Sequence, residues 1–267
     1  MDPVVVLEAA DLAVEINRYK LIQVCDPAVF STAHPNGAYL VTPRELVAGI
    51  PPAVGRLPDL PSLNALFGRL EYSPDDHIVV FDDEGGGWAG RLGWTLDVIG
   101  HRTWSYLNGG LQAWVASGGA VQGGPPPQGS QRPATLTIHQ QPIAEIADVL
   151  TASETGSEII WDVRSAEEFA GLRSGSARAG HIPGAVHLDW MDLKNPANDM
   201  RLTGDLVNLL GSVGVDSSRP IITHCQSHHR SGLSYMIGRI LNYQIRGYHG
   251  SWSEWGNRDD LPVSTDP

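Results

Sequence analysis

The sequence predicts an α/β protein built from two similar halves, each a mainly parallel sheet flanked by helices. Three observations predict it. Strand-like and helix-like hydrophobic patterns alternate along the chain, as they do where crossover helices join parallel strands. A strand–loop–helix–strand–turn unit occurs twice, the mark of a duplicated domain. A Gly- and Pro-rich stretch, 123–133, divides the chain near its middle without apolar periodicity, and reads as an exposed linker.

In chain order, Leu7 to Ile16 reads as a helix and Lys20 to Cys25 as a strand. Thr42-Pro43-Arg44-Glu45-Leu46 and Leu57-Pro58-Asp59-Leu60-Pro61-Ser62 are rich in turn and cap residues, and Ser62 is expected to cap a helix reaching Leu70. His77 to Asp82 is a strand, Asp83-Glu84-Gly85-Gly86-Gly87 a loop, and Leu92, Leu96 and Ile99 the apolar stripe of a helix. Tyr106 to Trp114, with its Asn108-Gly109-Gly110 turn, closes the first unit. The boundaries expected are 1–122 for the first domain, 123–135 for the linker and 136–267 for the second domain.

The second half opens with Ile143, Ile146, Ala147 and Leu150, spaced as a short amphipathic helix. Glu158 to Asp162 is a strand, and Ser165 with Glu168 forms a capping box for the next helix. Gly180 to Leu188 is a turn leading into a short strand. Pro220 to His224 is a strand that delivers Cys225 to its end, and Leu233, Met236, Ile237, Ile240 and Leu241 then repeat with helical spacing. Tyr248 to Trp255 answers Tyr106 to Trp114. At the end of the strand the first copy carries Asp82, or Asp83 with a shift of one, where the second carries Cys225. The first copy therefore reads as chemically retired and kept as a wall of the site.

A cysteine between a buried strand and a helix N-terminus is placed to be a nucleophile. The first-turn N–H groups lack intrahelical partners, and the helix dipole adds positive potential there. Successive amides of such a loop can form an anion nest. Thiols in such settings commonly titrate at about 3.5–7.5 rather than about 8.5. Sites in open parallel sheets lie beyond the strand C-termini, where Cys225 falls.

Composition narrows the setting. The chain has 267 residues, 42% hydrophobic and 18% charged, enough for two ordinary globular domains. A net charge of −12 argues against nucleic acid or an anionic membrane as the main partner. Two cysteines, Cys25 and Cys225, are too few for a disulfide scaffold and fit a reducing compartment. No apolar run approaches a membrane span, and Met1 to Glu8 lacks the basic region of a secretory signal. A cytoplasmic protein is expected. Cys25, in an apolar strand without basic neighbours, reads as packing. His224, Cys225, His228 and His229 crowd into six residues with no second ligand pair elsewhere, unlike a structural zinc site, so no metal is expected.

These segments together resemble a two-domain rhodanese, a sulfurtransferase whose N-terminal copy has lost its cysteine. Gly180-His181-Ile182-Pro183-Gly184-Ala185 is similar to the family's first signature, and Tyr248-His249-Gly250-Ser251-Trp252-Ser253-Glu254-Trp255 to its second. Asp162-Val163-Arg164 with Glu168-Phe169 resembles the segment that ends an early strand, and Asn108-Gly109-Gly110 with Trp114 resembles the degenerate copy. The loop Cys225-Gln226-Ser227-His228-His229-Arg230-Ser231 is similar to that of a bacterial subgroup with paired histidines. It lacks the Arg-Lys pair of vertebrate thiosulfate enzymes and the Gly-Ser-Gly-Val-Thr run of mercaptopyruvate enzymes. His249 and Ile245 also depart from the second signature's usual residues.

The resemblance implies ping-pong sulfur transfer through a persulfide on Cys225 without a cofactor. An anionic donor such as thiosulfate gives the sulfur, and cyanide, a thiol or a protein takes it. Arg230, an always-charged fork, and Arg164 are expected to meet the donor, with His228 and His229 adding charge or moving protons. Arg164 would otherwise be a structural ion pair. Gln226, Ser227 and Ser231 would form the cradle whose amides hold the persulfide. His181 is expected to fix its turn, Trp252 and Trp255 to pack under the loop, and Trp190 to line the cleft. Rival readings are a mercaptopyruvate sulfurtransferase, a sulfur or selenium carrier, and a cysteine phosphatase. Only four residues separate Cys225 from Arg230, one fewer than the phosphatase loop, so the nest should suit a single sulfur rather than a phosphate.

Overall fold

The computed structural model describes residues 3–130 and 132–266. Met1, Asp2, Pro267 and Gln131 of the expected linker lie outside them. Each half holds a five-stranded, all-parallel sheet. In the first the order is Val5–Leu7, Trp104–Leu107, Ile78–Asp82, Lys20–Val24, Tyr39–Val41. In the second it is Ile143–Ala144, Ile245–Tyr248, Ile221–His224, Ile159–Asp162, Val186–His187. The two orders correspond strand for strand. The central strands are buried on both faces, which explains why their sequences run apolar without alternation.

Several elements differ from the sequence reading, each for a local reason. Val5–Leu7 is an edge strand paired with Ser105–Leu107, and the helix occupies only Ala9–Glu15. The helix expected from Ser62 runs Leu60–Arg69, because the Asp59 side chain accepts from Ser62 N at 2.9 Å and Pro61 suits the first turn. Ile143 belongs to a two-residue strand paired with Gly247, and the helix begins at Ile146 behind a Glu145–Asp148 capping box. Segment 123–135 is largely exposed, yet it is laid along the first half. Ala134 N donates to Asn64 O at 2.8 Å, Leu136 N to Asn64 Oδ1 at 3.0 Å, and Leu136 is buried.

The halves meet through two helices, Gly87–Val98 and Arg230–Ile240. A Cβ placed on Gly90 would stand 2.1 Å from the Gly232 carbonyl oxygen, and one on Gly232 would stand 2.4 Å from Gly87 O. The backbones touch because neither glycine carries a side chain. One apolar core runs across this seam, from Leu92, Trp94 and Leu96 to Leu233, Tyr235 and Met236. Asp97 of the first half is bound there by the Tyr235 hydroxyl at 2.7 Å and by Arg239. The seam positions the functional loop, since the second of these helices begins where that loop ends.

Candidate functional site

Cys225 follows the Ile221–His224 strand and is 1% exposed. Its carbonyl accepts from Trp252 N at 2.9 Å, and its own N–H donates to Ser251 Oγ at 3.4 Å. The first residues of the Ser251–Trp255 helix thus anchor the strand end, with Trp252 and Trp255 fully buried. Ser251 holds a left-handed φ of 52°. Its counterpart in the first half, Gly110, holds φ 58° and would press a Cβ to 2.2 Å from Asp82 O. The equivalence pairs Cys225 with Asp82 rather than Asp83.

The donor that reaches the Cys225 sulfur is the Ser231 hydroxyl, at 3.5 Å. Ser231 Oγ also meets His228 Nδ1 at 2.8 Å. With the hydroxyl proton aimed at sulfur, Nδ1 must carry the hydrogen that Ser231 accepts. Among the described residues the resting sulfur is thus met by a side-chain chain from its own loop. The cause is local: His228 stands at a left-handed φ of 56°, which turns the loop and brings its ring inward.

His228, expected at the donor, is therefore an inner residue of the loop rather than one of its rim. It is fully buried, edge-on to Trp94 at 4.7 Å, and seated against Gly247, where a Cβ would lie 2.5 Å from the ring. Burial, with the nearby Arg91 charge second, pushes it well below the ordinary histidine range, so it is neutral at neutral pH.

Arg164, expected at the donor, is likewise sealed. Its guanidinium donates to Asp162 at 2.6–3.0 Å and to Gly180 O at 2.8 Å, and lies 4.4 Å over the Trp252 ring. Both partners are fully buried. Burial works to raise the Asp162 carboxyl, but the His224 and Arg164 charges and the hydrogen bonds from Arg164 outweigh it and hold it at about 2. Of these partners Arg164 is the firm one: His224 Nε2 lies 3.6 Å away and burial holds that imidazole below its usual range. Arg164 braces the strand end because a lone buried charge is prohibitive.

The half-buried rim of the loop consists of Gln226, Ser227, His229 and Arg230. Arg230 opens the helix and donates to both oxygens of Glu168, at 2.6 and 3.0 Å. Burial would lower it, but the Glu168 fork and the Cys225 sulfur keep it above the ordinary arginine range. Gln226 Nε2 donates to Ser176 Oγ at 3.1 Å. Ser227 lies against the companion half, where a Cβ on Gly55 would stand 2.0 Å from its carbonyl oxygen. His229 bonds Glu84 of the first half and stacks on Trp88 at 4.3 Å. Trp190 stands edge-on to His229 at 5.6 Å.

Arg91 is the residue the sequence reading missed. It comes from the first half, is fully buried, and faces no carboxylate among its hydrogen-bond partners. It donates to Leu46 O at 2.6 Å, Gly55 O at 2.8 Å and His228 O at 3.4 Å. Burial lowers it to about 9, and its field reaches the Cys225 sulfur. Glu84, Trp88 and Gly55 were missed with it. The signal was present: Gly87, Gly90 and Gly93 recur every three residues in a helix, a stripe that lets another backbone approach and carries Arg91 into the seam.

The equivalent loop of the first half holds a carboxylate where the second half holds Cys225. Asp82 Oδ1 accepts from Glu84 N, Gly85 N and Gly86 N at 3.2, 3.0 and 2.8 Å, and Oδ2 accepts from Ala89 N at 2.9 Å. Burial chiefly, and Glu84 next, raise this carboxyl to about 6. The companion loop thus gathers amides around an anion that it supplies itself.

Elsewhere, His181 Nδ1 meets Phe169 O at 2.8 Å and its ring stacks on Phe169, fixing the turn. Cys25 is buried, accepts from Gln23 Nε2 at 3.3 Å, and is pushed up to about 12, mainly by burial. Among the described residues no three His, Cys, Asp or Glu side chains are grouped to hold a metal, and no helix is long and apolar enough to cross a membrane. A cleft of about 620 Å³, lined by Arg44, Asp59, Ser62 and Arg69, lies on the first half and includes no residue of the Cys225 loop.

Comparison with known proteins places this geometry. The model of the rhodanese-like domain matches residues 8–117 and again 145–258. A thiosulfate sulfurtransferase of Pseudomonas aeruginosa is 43% identical over 262 residues, 97% of this chain and 96% of that protein. One from Azotobacter vinelandii is 42% identical over the same shares. The crystal structure of SseA from Escherichia coli, described as a 3-mercaptopyruvate sulfotransferase, superimposes with a TM-score of 0.82. It is 23% identical, and the match covers 93% of this chain and 99% of that one.

Proposed function

The chain belongs to the rhodanese-like domain family, and from that premise we propose that it is a sulfurtransferase that moves a sulfane sulfur from thiosulfate to cyanide or a thiol, with Cys225 as the carrier. The Cys225 thiolate attacks the outer sulfur of the donor. The donor's S–S bond breaks and sulfite leaves with the electron pair, so Cys225 holds a persulfide. An acceptor then attacks the terminal sulfur, and the Cys225 thiolate departs as the leaving group.

The observation that carries this reading is the Ser231 hydroxyl bonded to a strand-end sulfur. The hydroxyl can donate to the charge that the sulfur carries when it attacks the donor and when it leaves the acceptor. His228 holds the hydroxyl in orientation from its other side. Arg230 and Arg91 supply positive potential from the two halves. Arg230 is the rim cation proposed to meet the donor, sharing its fork with Glu168. His229 guards the same rim. Gln226 and Ser227 shape it through their ties to Ser176 and Gly55. In this reading no cofactor takes part.

The test is turnover of purified protein and of Cys225→Ala, with thiosulfate or mercaptopyruvate as donor and cyanide as acceptor, beside aryl phosphate hydrolysis. Thiocyanate formation from thiosulfate that is lost in Cys225→Ala is expected. The resting protein should also gain the mass of one sulfur atom after incubation with donor. Thiocyanate from mercaptopyruvate alone would change the donor assignment, and phosphatase turnover without sulfur transfer would overturn the assignment.

A further inference from the structure

Arg91, Arg164, Arg173 and Arg230 stand around the Cys225 loop, and they differ in how far their charge is engaged. Arg164 is fully buried on Asp162, and Arg91 is fully buried on carbonyl oxygens. Arg230 gives its fork to Glu168, with 18% of its side chain exposed. Toward the companion half, His229 and Lys194 meet Glu84, at its carboxylate and at its carbonyl. Arg173 is 72% exposed and approaches Glu168 only to 3.9 Å. That carboxylate has little left to offer it. Its Oε2 already accepts from Arg230 at 2.6 Å and from Ser165 N at 3.2 Å, and its Oε1 accepts from Arg230 at 3.0 Å. Glu167, the other carboxylate that feels the Arg173 charge, is fully exposed to solvent.

A tight reversal puts Arg173 there. Gly171 takes a left-handed φ of 75° just past the Ala166–Phe169 helix, a conformation that glycine adopts without strain. The next two amides, Leu172 N and Arg173 N, then donate to Glu167 O at 2.9 and 3.2 Å. The segment goes on to close against the loop. A Cβ on Gly175 would stand 3.2 Å from Gln226 Nε2, which donates to Ser176 Oγ at 3.1 Å. Arg173 therefore lies between two anchors on the Cys225 loop: Arg230, through Glu168, and Gln226.

We propose that Arg173 is a specificity-determining residue for chemistry at Cys225: its open charge captures the anionic sulfur donor and passes it to Arg230 and the sulfur. The proposal rests on Cys225 as the nucleophile and on an anionic donor. The chain as a whole repels an anion, with a net charge of −12. An exposed guanidinium beside the loop offsets that repulsion locally, and its planar fork suits the oxygens of a sulfonate. Such an effect acts on encounter. It belongs in kcat/KM for the donor rather than in kcat, and salt screens it. A dianion gains most, a monoanion less, and a neutral thiol nothing.

The experiment measures kcat and kcat/KM for thiosulfate, with cyanide as acceptor, in the full chain and in Arg173→Gln, Arg173→Lys and Arg173→Glu. Arg173→Gln is expected to lower kcat/KM about two- to fivefold at low salt with kcat unchanged. Arg173→Glu should lower it further, Arg173→Lys should keep most of it, and at about 1 M salt all four should converge. A second readout needs no turnover. Cys225 is alkylated with iodoacetate, an anion, and with iodoacetamide, its neutral analogue with the same leaving group, and mass spectrometry locates the label. The iodoacetate rate is expected to fall about two- to fivefold in Arg173→Gln while the iodoacetamide rate stays put. Equal slowing with both reagents, or a fall in kcat, would make Arg173 a structural brace and overturn the proposal. An unchanged kcat/KM and an unchanged rate ratio in Arg173→Glu would also overturn it. A wild-type protein that forms no thiocyanate from thiosulfate would count against the proposed function, and the alkylation ratio would still decide the role of Arg173.

Discussion

Ser231 reaches Cys225 side chain to side chain: its hydroxyl lies 3.5 Å from the sulfur, six residues along the loop. Removing it tests how much of the reactivity at Cys225 depends on one hydrogen bond. A hydrogen bond to a charged group contributes about 1.5–3 kcal/mol. Ser231→Ala is therefore expected to lower kcat/KM for the donor by about ten- to a hundredfold. Ser231→Thr, which keeps the hydroxyl, should recover most of it. Steady-state kinetics on both variants decides the matter, and full activity in Ser231→Ala would remove the hydroxyl from the mechanism.

The imidazole behind that hydroxyl ties stability to acidity. His228 is buried and held well below its ordinary range, mainly by desolvation. The unfolded chain takes up this proton as pH falls through about 6.5, while the folded chain refuses it. The unfolded state then binds more protons, so stability falls as pH drops below about 6.5, by up to about 1.4 kcal/mol per pH unit for one such group. His249, also lowered by burial, adds in the same direction. Urea midpoints at pH 7.5 and 5.5 should show the loss. His228→Asn keeps a donor, suits the left-handed backbone and should flatten part of the slope.

The glycine crossing at the seam sets a steric limit. With a Cβ on Gly90 only 2.1 Å from the Gly232 carbonyl oxygen, Gly90→Ala must push the helices apart. Overpacking typically costs about 1–3 kcal/mol. The larger expected effect is on activity, because Arg230 begins the displaced helix. Thermal denaturation and kcat measured together check this, and a variant of unchanged stability and rate would show that the seam yields freely.

Arg91 gives the companion half a second role. Arg91→Met would leave the carbonyls of Leu46, Gly55 and His228 without their donor. Buried groups left in this way cost about 1–3 kcal/mol each. A loss of about 2–5 kcal/mol is expected, with a fall in kcat through the His228 turn. Arg91→Lys offers three donors in place of the planar fork and should recover only part. Denaturant titration reads the first effect and turnover the second.

Much of this was legible in the chain. The apolar run Ile221-Ile222 before Cys225, and the helical spacing from Leu233 to Leu241, mark strand, loop and helix without any tertiary information. The duplication was legible because Asn108-Gly109-Gly110 and Trp114 keep the spacing of their counterparts. Short edge strands were not, since Val5–Leu7 and Ile143–Ala144 owe their form to partners about a hundred residues away. The direction of side chains in the loop was equally hidden. Nothing local says that His228 turns inward while His229 crosses to Glu84, because a single left-handed residue decides it. The fates of Arg164 and Arg91 depend on which carboxylates and carbonyls the fold brings near, and that is a property of the seam.

The loop that Asp82 occupies also bears on the history of the pair. Four amides close on that one carboxylate. A reversion to cysteine would strip them of a charged acceptor at once, at a cost of several kcal/mol out of the roughly 5–15 that keep a domain folded. The carboxylate is therefore held at this position by the amides around it. Drift is expected to leave Asp82 in place and to spend its freedom at the rim, where Glu84 and Trp88 meet the working copy.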